Sequence, residues 1–427
     1  MLNKIKKKYK SSEIFRNVIT LTKGTSLAQL IPILTAPIVY RIYSPTDYGT
    51  LGLYFAISGI LSAFSTLQFL ETIIISKNDS EAKSLVWFNR FINLIISLLV
   101  FIFIIFFGGL IADFNNNAEI VKWLWLMPIT IFVTGQTQIL RAWCNRQKYF
   151  KIMSTISILN ALITPLISIG TGLFIKGPYG LFFGLLSGQV FSLVILILNV
   201  KRNDDINISY FRYSQVIYYF NKYINFPKIS LATDLVGRAT NNLPVFILSS
   251  QFSPAVVGAY TLCSRMLGIP ISVIGSSLAE VFKQKVTELY HTKGEFSFFF
   301  KKTLKSLVLI SIIPLILCLL FAPKLFSLVF SDKWIESGVI AQILVIYFVV
   351  KFIVGPLSYT IVIKNKLQAG LIKNLFTGFS MMCLFFSSQY YGFNYILLLM
   401  LFSFIYTITD LIYLSYLFKL SKEVKYD

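Results

Sequence analysis

The sequence predicts an all-α integral membrane protein with 12 transmembrane helices in two six-helix lobes. Of its 427 residues, 56% are hydrophobic and only 13% are charged, and Phe and Tyr number 40 and 23. A soluble domain could not cover so much apolar surface with so few charges. The apolar residues fall into runs of roughly 18–25 residues, which is the length that crosses a bilayer as a helix.

Apolar length and polar breaks together place the spans. We predict them at residues 18–40, 50–75, 86–111, 123–143, 152–175, 180–200, 227–249, 257–281, 304–325, 338–362, 374–391 and 394–417. The first run is too long for the core of a signal peptide and lacks a small-x-small cleavage site, so we expect it to be retained as a helix. An even number of spans puts both termini on one side of the membrane.

The basic residues of the connections set the orientation. About 30 of the 39 Lys and Arg lie at the two termini and in, or at the edges of, alternate connections, among them Arg90, Arg141, Lys364, Lys366 and Lys373. The opposite connections hold about five, so the positive-inside rule places both termini in the cytoplasm. The net charge of +21 is therefore explained mainly by the basic residues that orient the protein in the membrane. Nucleic-acid binding is not expected, because its basic residues would cluster on a folded face.

Metal, disulfide and catalytic chemistry are not expected. The four cysteines stand singly in or beside apolar runs, and the one histidine, His291, lies in a polar connection. Neither arrangement has the spacing of a metal site or a disulfide framework, and no cofactor is predicted. The connections are too short to fold into a soluble catalytic domain, so we do not expect an enzyme.

A short motif occurs twice, about half a chain apart. Ser44-Pro45-Thr46-Asp47-Tyr48-Gly49 follows the first span, and Ser253-Pro254-Ala255-Val256-Val257-Gly258 follows the seventh. Six spans separate the copies, so the halves have the same orientation and form a parallel repeat about an axis along the membrane normal. Two such lobes around a midplane cavity are an architecture for alternating access.

The repeat gives the domain boundaries. We predict an N-terminal lobe at 1–200, a cytoplasmic amphipathic linker at 201–226 and a C-terminal lobe at 227–427. The linker mixes aromatic and basic residues, which suits a helix lying on the inner leaflet. A simple interdomain connection is the alternative.

Polar side chains recur at helical spacing in several spans. The candidates for lining a hydrated cavity are Thr134, Thr137, Asn160, Asn241 and Asn242. The alternative is that these side chains only join helices to one another, a common role of small polar residues in membranes.

Three cations lie near the middle of spans in the second half: Arg238, Arg265 and Lys351. Each costs about 2.5–3.5 kcal/mol at that depth unless it meets water, a partner or a ligand. Asp234, one turn before Arg238, is an alternative partner for that cation. Arg265 and Lys351 have no acidic residue within one helical turn, which favours an anionic ligand such as a diphosphate.

Other charged side chains are predicted nearer the inner surface, where they could pair across helices or line the cavity mouth. These are Lys23, Glu71, Glu280 and Asp410. Together with Asp234 they are the candidates for ion coupling or gating.

The chain resembles a known family in several motifs. The stretch Lys23-Gly24-Thr25-Ser26, the run from Arg41 to Gly49, and Leu70-Glu71-Thr72 are similar to the opening of bacterial Wzx-type O-antigen and capsular polysaccharide flippases. The second half is similar at Asn242-Leu243-Pro244-Val245, Gly258-Ala259-Tyr260, Arg265-Met266-Leu267-Gly268-Ile269-Pro270 and Trp334-Ile335-Glu336-Ser337-Gly338. The resemblance covers nearly the whole chain.

The resemblance implies membership of the polysaccharide biosynthesis protein family within the multidrug/oligosaccharidyl-lipid/polysaccharide exporter (MOP) superfamily. It further implies a V-shaped exporter fold in a bacterial inner membrane and movement of undecaprenyl-diphosphate-linked oligosaccharide, such as a capsule, O-antigen or lipopolysaccharide unit, to the outer leaflet. An H⁺ or Na⁺ gradient would drive it. The expected partners are that lipid-linked glycan, membrane lipid, and the polysaccharide polymerase and glycosyltransferases of the pathway; a monomer is expected.

Three alternatives remain open. A flippase for the lipid-linked peptidoglycan precursor would need the same anion site. A cation-coupled multidrug exporter of the same superfamily is expected to carry carboxylates in the cavity of its first lobe, where the first span has none. A membrane polymerase or ligase would need a large outer loop.

Overall fold

The computed structural model describes residues 24–204, 206, 210 and 213–423, and every regular element in these ranges is helical. Lys23 lies outside the described residues. The first half contains α1 (Gly24–Ile42), α2 (Pro45–Phe64), α3 (Leu70–Ile75), α4 (Asp79–Phe114), α5 (Ile120–Leu124), α6 (Met127–Arg146), α7 (Phe150–Gly172), α8 (Tyr179–Asn203) and α9 (Tyr213–Lys222).

The second half contains α10 (Ala232–Gln251), α11 (Pro254–Pro270), α12 (Ser276–Lys293), α13 (Ser297–Phe330), α14 (Ile335–Leu357), α15 (Thr360–Ile363), α16 (Gln368–Tyr391) and α17 (Tyr395–Lys422). A π-helical turn, Phe226–Leu231, precedes α10, and a second, Ile271–Gly275, joins α11 to α12. A 3₁₀ turn, Asp332–Trp334, leads into α14.

Nine helices of the described chain are long and apolar enough to cross a membrane. The predicted span 50–75 is instead divided into α2 and α3, because Leu67 and Gln68 adopt positive φ angles of 47° and 62° between them. The span 123–143 is divided into α5 and α6, and α10 carries several polar residues. The all-α membrane fold is thus observed, whereas the count of twelve spans stays a prediction.

The described residues form two compact units. The first runs to Tyr43 and resumes from Tyr54 to Leu235, and the second comprises Ser44–Leu53 and the chain from Val236. The first unit thus includes residues 227–235, which the sequence assigns to the C-terminal lobe. The predicted domain boundaries stay predictions.

The core of the first unit lies where α4, α6 and α8 meet. Trp143 of α6 is fully buried there, and its indole N–H donates a 3.0 Å hydrogen bond to Asp204 at the end of α8. Phe69 packs edge-to-face on Phe88 with 5.1 Å between ring centroids. The packing of this core orients α6 so that Gln136 lies against α4.

The linker helix α9 belongs to the first unit. Its Phe220 packs on Phe69, and its Tyr219 is buried against Phe88. The opposite face leaves Ile217 and Tyr218 exposed, so α9 is amphipathic. Its position on the inner leaflet stays a prediction.

An ion pair holds the end of α9. Lys222 donates a 2.6 Å hydrogen bond to Glu81 in the first turn of α4, and Tyr223 lies under the same ammonium group. The hydrogen bond from Lys222 holds the pKa of Glu81 below its usual value, and the same bond raises the pKa of Lys222. Exposed pairs of this kind contribute about 0–1 kcal/mol.

Acidification is therefore expected to loosen α9. A carboxyl with a lowered folded-state pKa stabilises the fold above its unfolded pKa of about 4.3, and this contribution is lost as the pH falls through the folded value. Hydrogen–deuterium exchange of residues 213–222 should rise below about pH 4.3 relative to Glu81→Gln, in which the pair is absent at every pH. Comparison at each pH cancels the intrinsic pH dependence of exchange. An identical ratio at pH 7 and pH 3.5 would contradict the assignment.

The two copies of the repeated motif meet inside the second unit. A Cβ built on Gly49 would lie 1.8 Å from the carbonyl oxygen of Pro254, and one built on Gly258 would lie 1.8 Å from that of Pro45. The contact is thus reciprocal, and only glycine allows the backbones of α2 and α11 to approach so closely. The caps differ, because Ser44 donates to Asp47 at 2.7 Å whereas the Ser253 side chain makes no cap hydrogen bond.

The second unit is organised around α14, which packs against α11, α13 and α17. Gly338 lets α14 approach α13 so closely that a Cβ would lie 2.4 Å from Cα of Pro323. Trp334, just before α14, is fully buried and packs edge-to-face on Tyr48 at 5.6 Å. This packing holds Lys351 of α14 inside the unit.

Candidate functional site

Lys351 lies among aromatic rings. Its ammonium group donates a 2.9 Å hydrogen bond to the Tyr347 hydroxyl and lies 5.9 Å from the Phe348 ring centroid. Tyr347 in turn packs on Tyr406 of α17, with 4.8 Å between centroids. The ammonium group of Lys351 thus makes hydroxyl and cation–π contacts in an apolar part of the unit.

Asp410 of α17 is the carboxylate of this region, with a side chain only 3% exposed. It forms an ion pair with Lys373 of α16, whose side chain is 25% exposed and whose ammonium also lies over the Tyr413 ring at 5.5 Å. Asp410 also interacts electrostatically with Lys351. Asp410 is thus the counter-charge of both Lys373 and Lys351. The cluster of these three side chains has one negative and two positive groups, and so a net positive charge.

Helix α10 is joined to this cluster through Thr240. The Tyr406 hydroxyl donates a 2.7 Å hydrogen bond to the Thr240 carbonyl oxygen, and the Thr240 hydroxyl donates to the Asn374 carbonyl at 3.3 Å. Gln251 and Ser388 exchange hydrogen bonds farther along α10 and α16. These bonds fix the position of α10 relative to α16 and α17.

Arg238 lies on α10 two residues before Thr240 and is half-buried. Asn241 and Asn242 each donate a 2.8 Å hydrogen bond to the carbonyl oxygen four residues earlier, at Gly237 and Arg238. One amide hydrogen of each side chain is therefore used within the helix. The other hydrogen and the amide oxygen can serve a ligand.

Arg265 lies on an accessible polar face of α11. Its side chain is exposed, and a Cβ added at Gly268 would meet no atom within 4 Å. Ser272 and Ser276 are also exposed along the following turns. Cys263, two residues before Arg265 and so nearly opposite it on the helix, is fully buried in the unit. Arg265, Ser272 and Ser276 thus lie on a side turned away from the packed core of the second unit.

Asp234, at the start of α10, belongs to the first unit. It accepts a 2.8 Å hydrogen bond from the side-chain amide of Gln68. Gln68 reaches this carboxylate from the positive-φ break between α2 and α3. No pattern in the sequence marks Gln68, since nothing local predicts a left-handed backbone at a glutamine.

The polar residues predicted for the first lobe make mostly local contacts. Thr134 and Thr137 donate to carbonyl oxygens of Thr130 and Val133 on their own helix, at 2.7 and 2.8 Å. Asn160 accepts from Thr164 at 3.2 Å and lies against Gly188 of α8. The contacts of Asn160 join α7 to α8.

The first unit also holds two arginines that the sequence assigns to connections. Arg90 of α4 donates a 2.9 Å hydrogen bond to Gln136, whose amide donates to Asn93 at 2.9 Å. Arg141 of α6 donates to the Ser157 hydroxyl at 3.2 Å. These bonds make polar links between packed helices.

The other candidates for coupling are exposed. Glu71 begins α3 in the first unit, and Glu280 lies on α12 in the second. No group of three His, Cys, Asp or Glu residues in the described ranges could hold a metal ion. The second unit therefore offers three cations on α10, α11 and α14 and one buried carboxylate beside Lys351, which is chemistry for binding an anion.

Solved structures with the same fold are transporters. The lipid II flippase MurJ in its inward closed conformation matches with a TM-score of 0.74 at 13% identity, over 94% of this chain and 90% of that one. An inward-facing multidrug resistance MATE family transporter of the MOP superfamily matches with a TM-score of 0.71 at 16% identity, over 92% and 94%. A MOP superfamily transporter from Pyrococcus furiosus, described as having a binding pocket of reverse polarity, matches at 0.59 and 13%, over 96% of each chain. The chain thus has the fold of MOP-superfamily transporters.

The family follows from the sequence. The model of the polysaccharide biosynthesis protein family matches residues 38–339, which is more than half of the chain. The chain belongs to this family, as the resemblance of its motifs implies. No curated protein matches it in sequence.

Proposed function

We propose that this protein is a flippase that moves an undecaprenyl-diphosphate-linked oligosaccharide from the inner to the outer leaflet of the bacterial plasma membrane. The glycan is a repeat unit of an O-antigen, a capsule or a related polysaccharide. Transport proceeds by alternating access and is coupled to an H⁺ or Na⁺ gradient. Both termini are cytoplasmic.

The observation that carries this proposal is the position of Arg265. Its guanidinium is on an accessible polar face of a membrane helix, a position that is costly unless water, a partner or a ligand compensates the charge. The planar fork of arginine matches phosphate oxygens and cannot lose its proton. Arg238 and Lys351 add charge from α10 and α14, and Asn241 and Asn242 suit sugar hydroxyls.

Coupling is assigned to Asp410. Protonation of this carboxylate would leave Lys373 and Lys351 without their counter-charge, so the affinity of the second unit for an anion would rise. A bound Na⁺ would act in the same direction. Asp234, held by Gln68, is the second candidate in the described chain.

The charges disfavour an exporter of cationic drugs. Apart from Asp234 on α10, the acidic residues that the structure describes in the first unit lie at helix ends or just outside them: Glu71, Asp79, Glu81, Asp113, Glu119 and Asp204. The half-buried Arg90 instead lies between α4 and α6, where it donates a hydrogen bond to Gln136. Cationic drugs would meet like charge there, which is destabilising.

Replacing Arg265 with alanine is expected to abolish flipping. Proteoliposomes would contain a fluorescent polyprenyl-diphosphate oligosaccharide, and a membrane-impermeant reductant would report the labelled lipid in the outer leaflet. Loss of a charge-assisted bidentate contact costs about 2–3 kcal/mol, or roughly 30–150-fold in affinity. Arg238→Ala and Lys351→Ala should give smaller losses.

Two controls distinguish loss of a specific anion site from a general effect of removing positive charge. Lys302→Ala removes an exposed cation of α13 and should leave flipping unchanged, and Arg265→Lys keeps the charge but loses the fork and should rescue only in part. Normal flipping by all three alanine variants would rule out the anion site. Faster flipping of the lipid-linked peptidoglycan precursor than of the oligosaccharide would reassign the substrate, because both lipids carry the diphosphate.

A further inference from the structure

The second unit contains a large cavity that none of the three predicted midmembrane cations lines. It has a volume of about 1030 Å³ and lies between the first half of α16 and the second half of α17. Lys366, in the turn before α16, and Lys373 mark its charged end. The volume is at the upper limit of sites that enclose a small molecule.

The rest of the wall is apolar and open to the side. Phe376 and Ile412, which line it, are 57% and 61% exposed. Exposed apolar residues continue along α16 beyond the cavity, at Phe379 and Phe386. The cavity therefore opens onto the surface that faces the acyl chains, while its lysines lie at the end that the positive-inside rule assigns to the inner leaflet.

From this arrangement we infer that the cavity binds an anionic phospholipid of the inner leaflet, with the headgroup phosphate at Lys366 and Lys373 and an acyl chain along Phe376 and Ile412. None of the lining residues, all of which belong to the described chain, is acidic. The hydroxyls of Tyr413 and Tyr416 lie in the same wall, as is common for tyrosine at a membrane interface. Basic pockets between transmembrane helices on the cytoplasmic side recognise such headgroups.

The position of Lys373 gives this lipid an effect on the buried cluster. The same ammonium group pairs with Asp410 and borders the cavity. A phosphate bound in the cavity would interact with the same ammonium group of Lys373 as the Asp410 carboxylate does. Lys373 would then compensate less of the negative charge of Asp410, and Lys351 would compensate more of it. The lipid is therefore a regulator of the carboxylate, and its binding does not depend on which substrate the protein moves.

Lipid binding can be measured without transport. The full chain in an uncharged detergent would be titrated with short-chain phosphatidylglycerol or phosphatidylcholine, and bound lipid would be counted by native mass spectrometry. Phosphatidylglycerol should bind more tightly, and Lys366→Ala should weaken its binding about fivefold, the effect expected of one lysine near a membrane surface. Lys366→Glu should weaken it further, and Lys302→Ala on α13 should have no effect.

Lys366 is the test position because Lys373→Ala would leave Asp410 buried without its partner. Equal binding of the two phospholipids, or unchanged binding in Lys366→Ala, would overturn the inference. Thermal stabilisation by inorganic phosphate equal to that by phosphatidylglycerol would show that no lipid is needed, and would also overturn it. If Lys366→Ala weakened binding of a short polyprenyl diphosphate as much as that of phosphatidylglycerol, the cavity would be a substrate site.

Discussion

Replacing Gly258 with alanine is expected to destabilise the second unit strongly. The new Cβ would lie 1.8 Å from the carbonyl oxygen of Pro45, and this oxygen belongs to helix backbone that cannot rotate away. The helices would have to separate by about an ångström, and overpacking of this kind costs about 1–3 kcal/mol. Thermal unfolding of the purified protein in detergent would measure the loss, and Gly49→Ala should behave alike.

The reciprocity of this contact gives a sharper test. Either substitution already separates α2 from α11, so the double variant Gly49→Ala/Gly258→Ala should cost clearly less than the sum of the two single variants. Gly109→Ala on α4 is the matched control, because a Cβ there meets no atom within 4 Å and alanine favours the helix. If Gly258→Ala were as mild as Gly109→Ala, the close crossing of α2 and α11 would be wrong.

Replacing Asp410 with asparagine is expected to be the other large effect. It leaves Lys373 charged beside an apolar wall, and removal of one partner of a buried ion pair costs on the order of 3 kcal/mol. The double variant Asp410→Asn/Lys373→Met removes both charges and should recover much of this loss. Thermal unfolding of the four proteins of the cycle would give the interaction energy between the two side chains.

An exposed pair provides the comparison. Lys285 and Glu288 lie 2.9 Å apart on α12, both largely in contact with solvent, and Glu288→Gln should change stability by less than about 0.5 kcal/mol. Additive effects of Asp410→Asn and Lys373→Met would mean that the pair contributes nothing to the fold. The role of Asp410 in coupling would then lose its structural basis.

The sequence predicts the fold class well, because apolar length and the spacing of basic residues are local properties of the chain. The repeated motif is likewise visible in the sequence. The sequence could not predict that each glycine of the motif lies against the proline of the other copy, because that contact joins residues some 200 positions apart.

The charged cluster shows the same limit. By sequence, Lys373 belongs with the basic residues that set topology, since it is the last residue of the predicted connection after the tenth span. In the structure it enters α16 and pairs with Asp410, a partner on another helix that no local pattern identifies. The sequence likewise predicts Arg90 to be one of the basic residues that set topology. In the structure it donates a hydrogen bond to Gln136 between α4 and α6, and again the partner lies on another helix.

The sharing of α2 between the two units has a consequence for how the protein is made. The segment Ser44–Leu53 leaves the ribosome early, yet the residues it packs against, around Pro254 and Trp334, follow more than 200 positions later. At about 5–20 residues per second, roughly 10–60 s pass between synthesis of the start of α2 and synthesis of these partners. During biogenesis the glycine face of α2 is thus an unsatisfied surface that must be kept from wrong partners, and slowing translation of the second half should raise its exposure to membrane proteases.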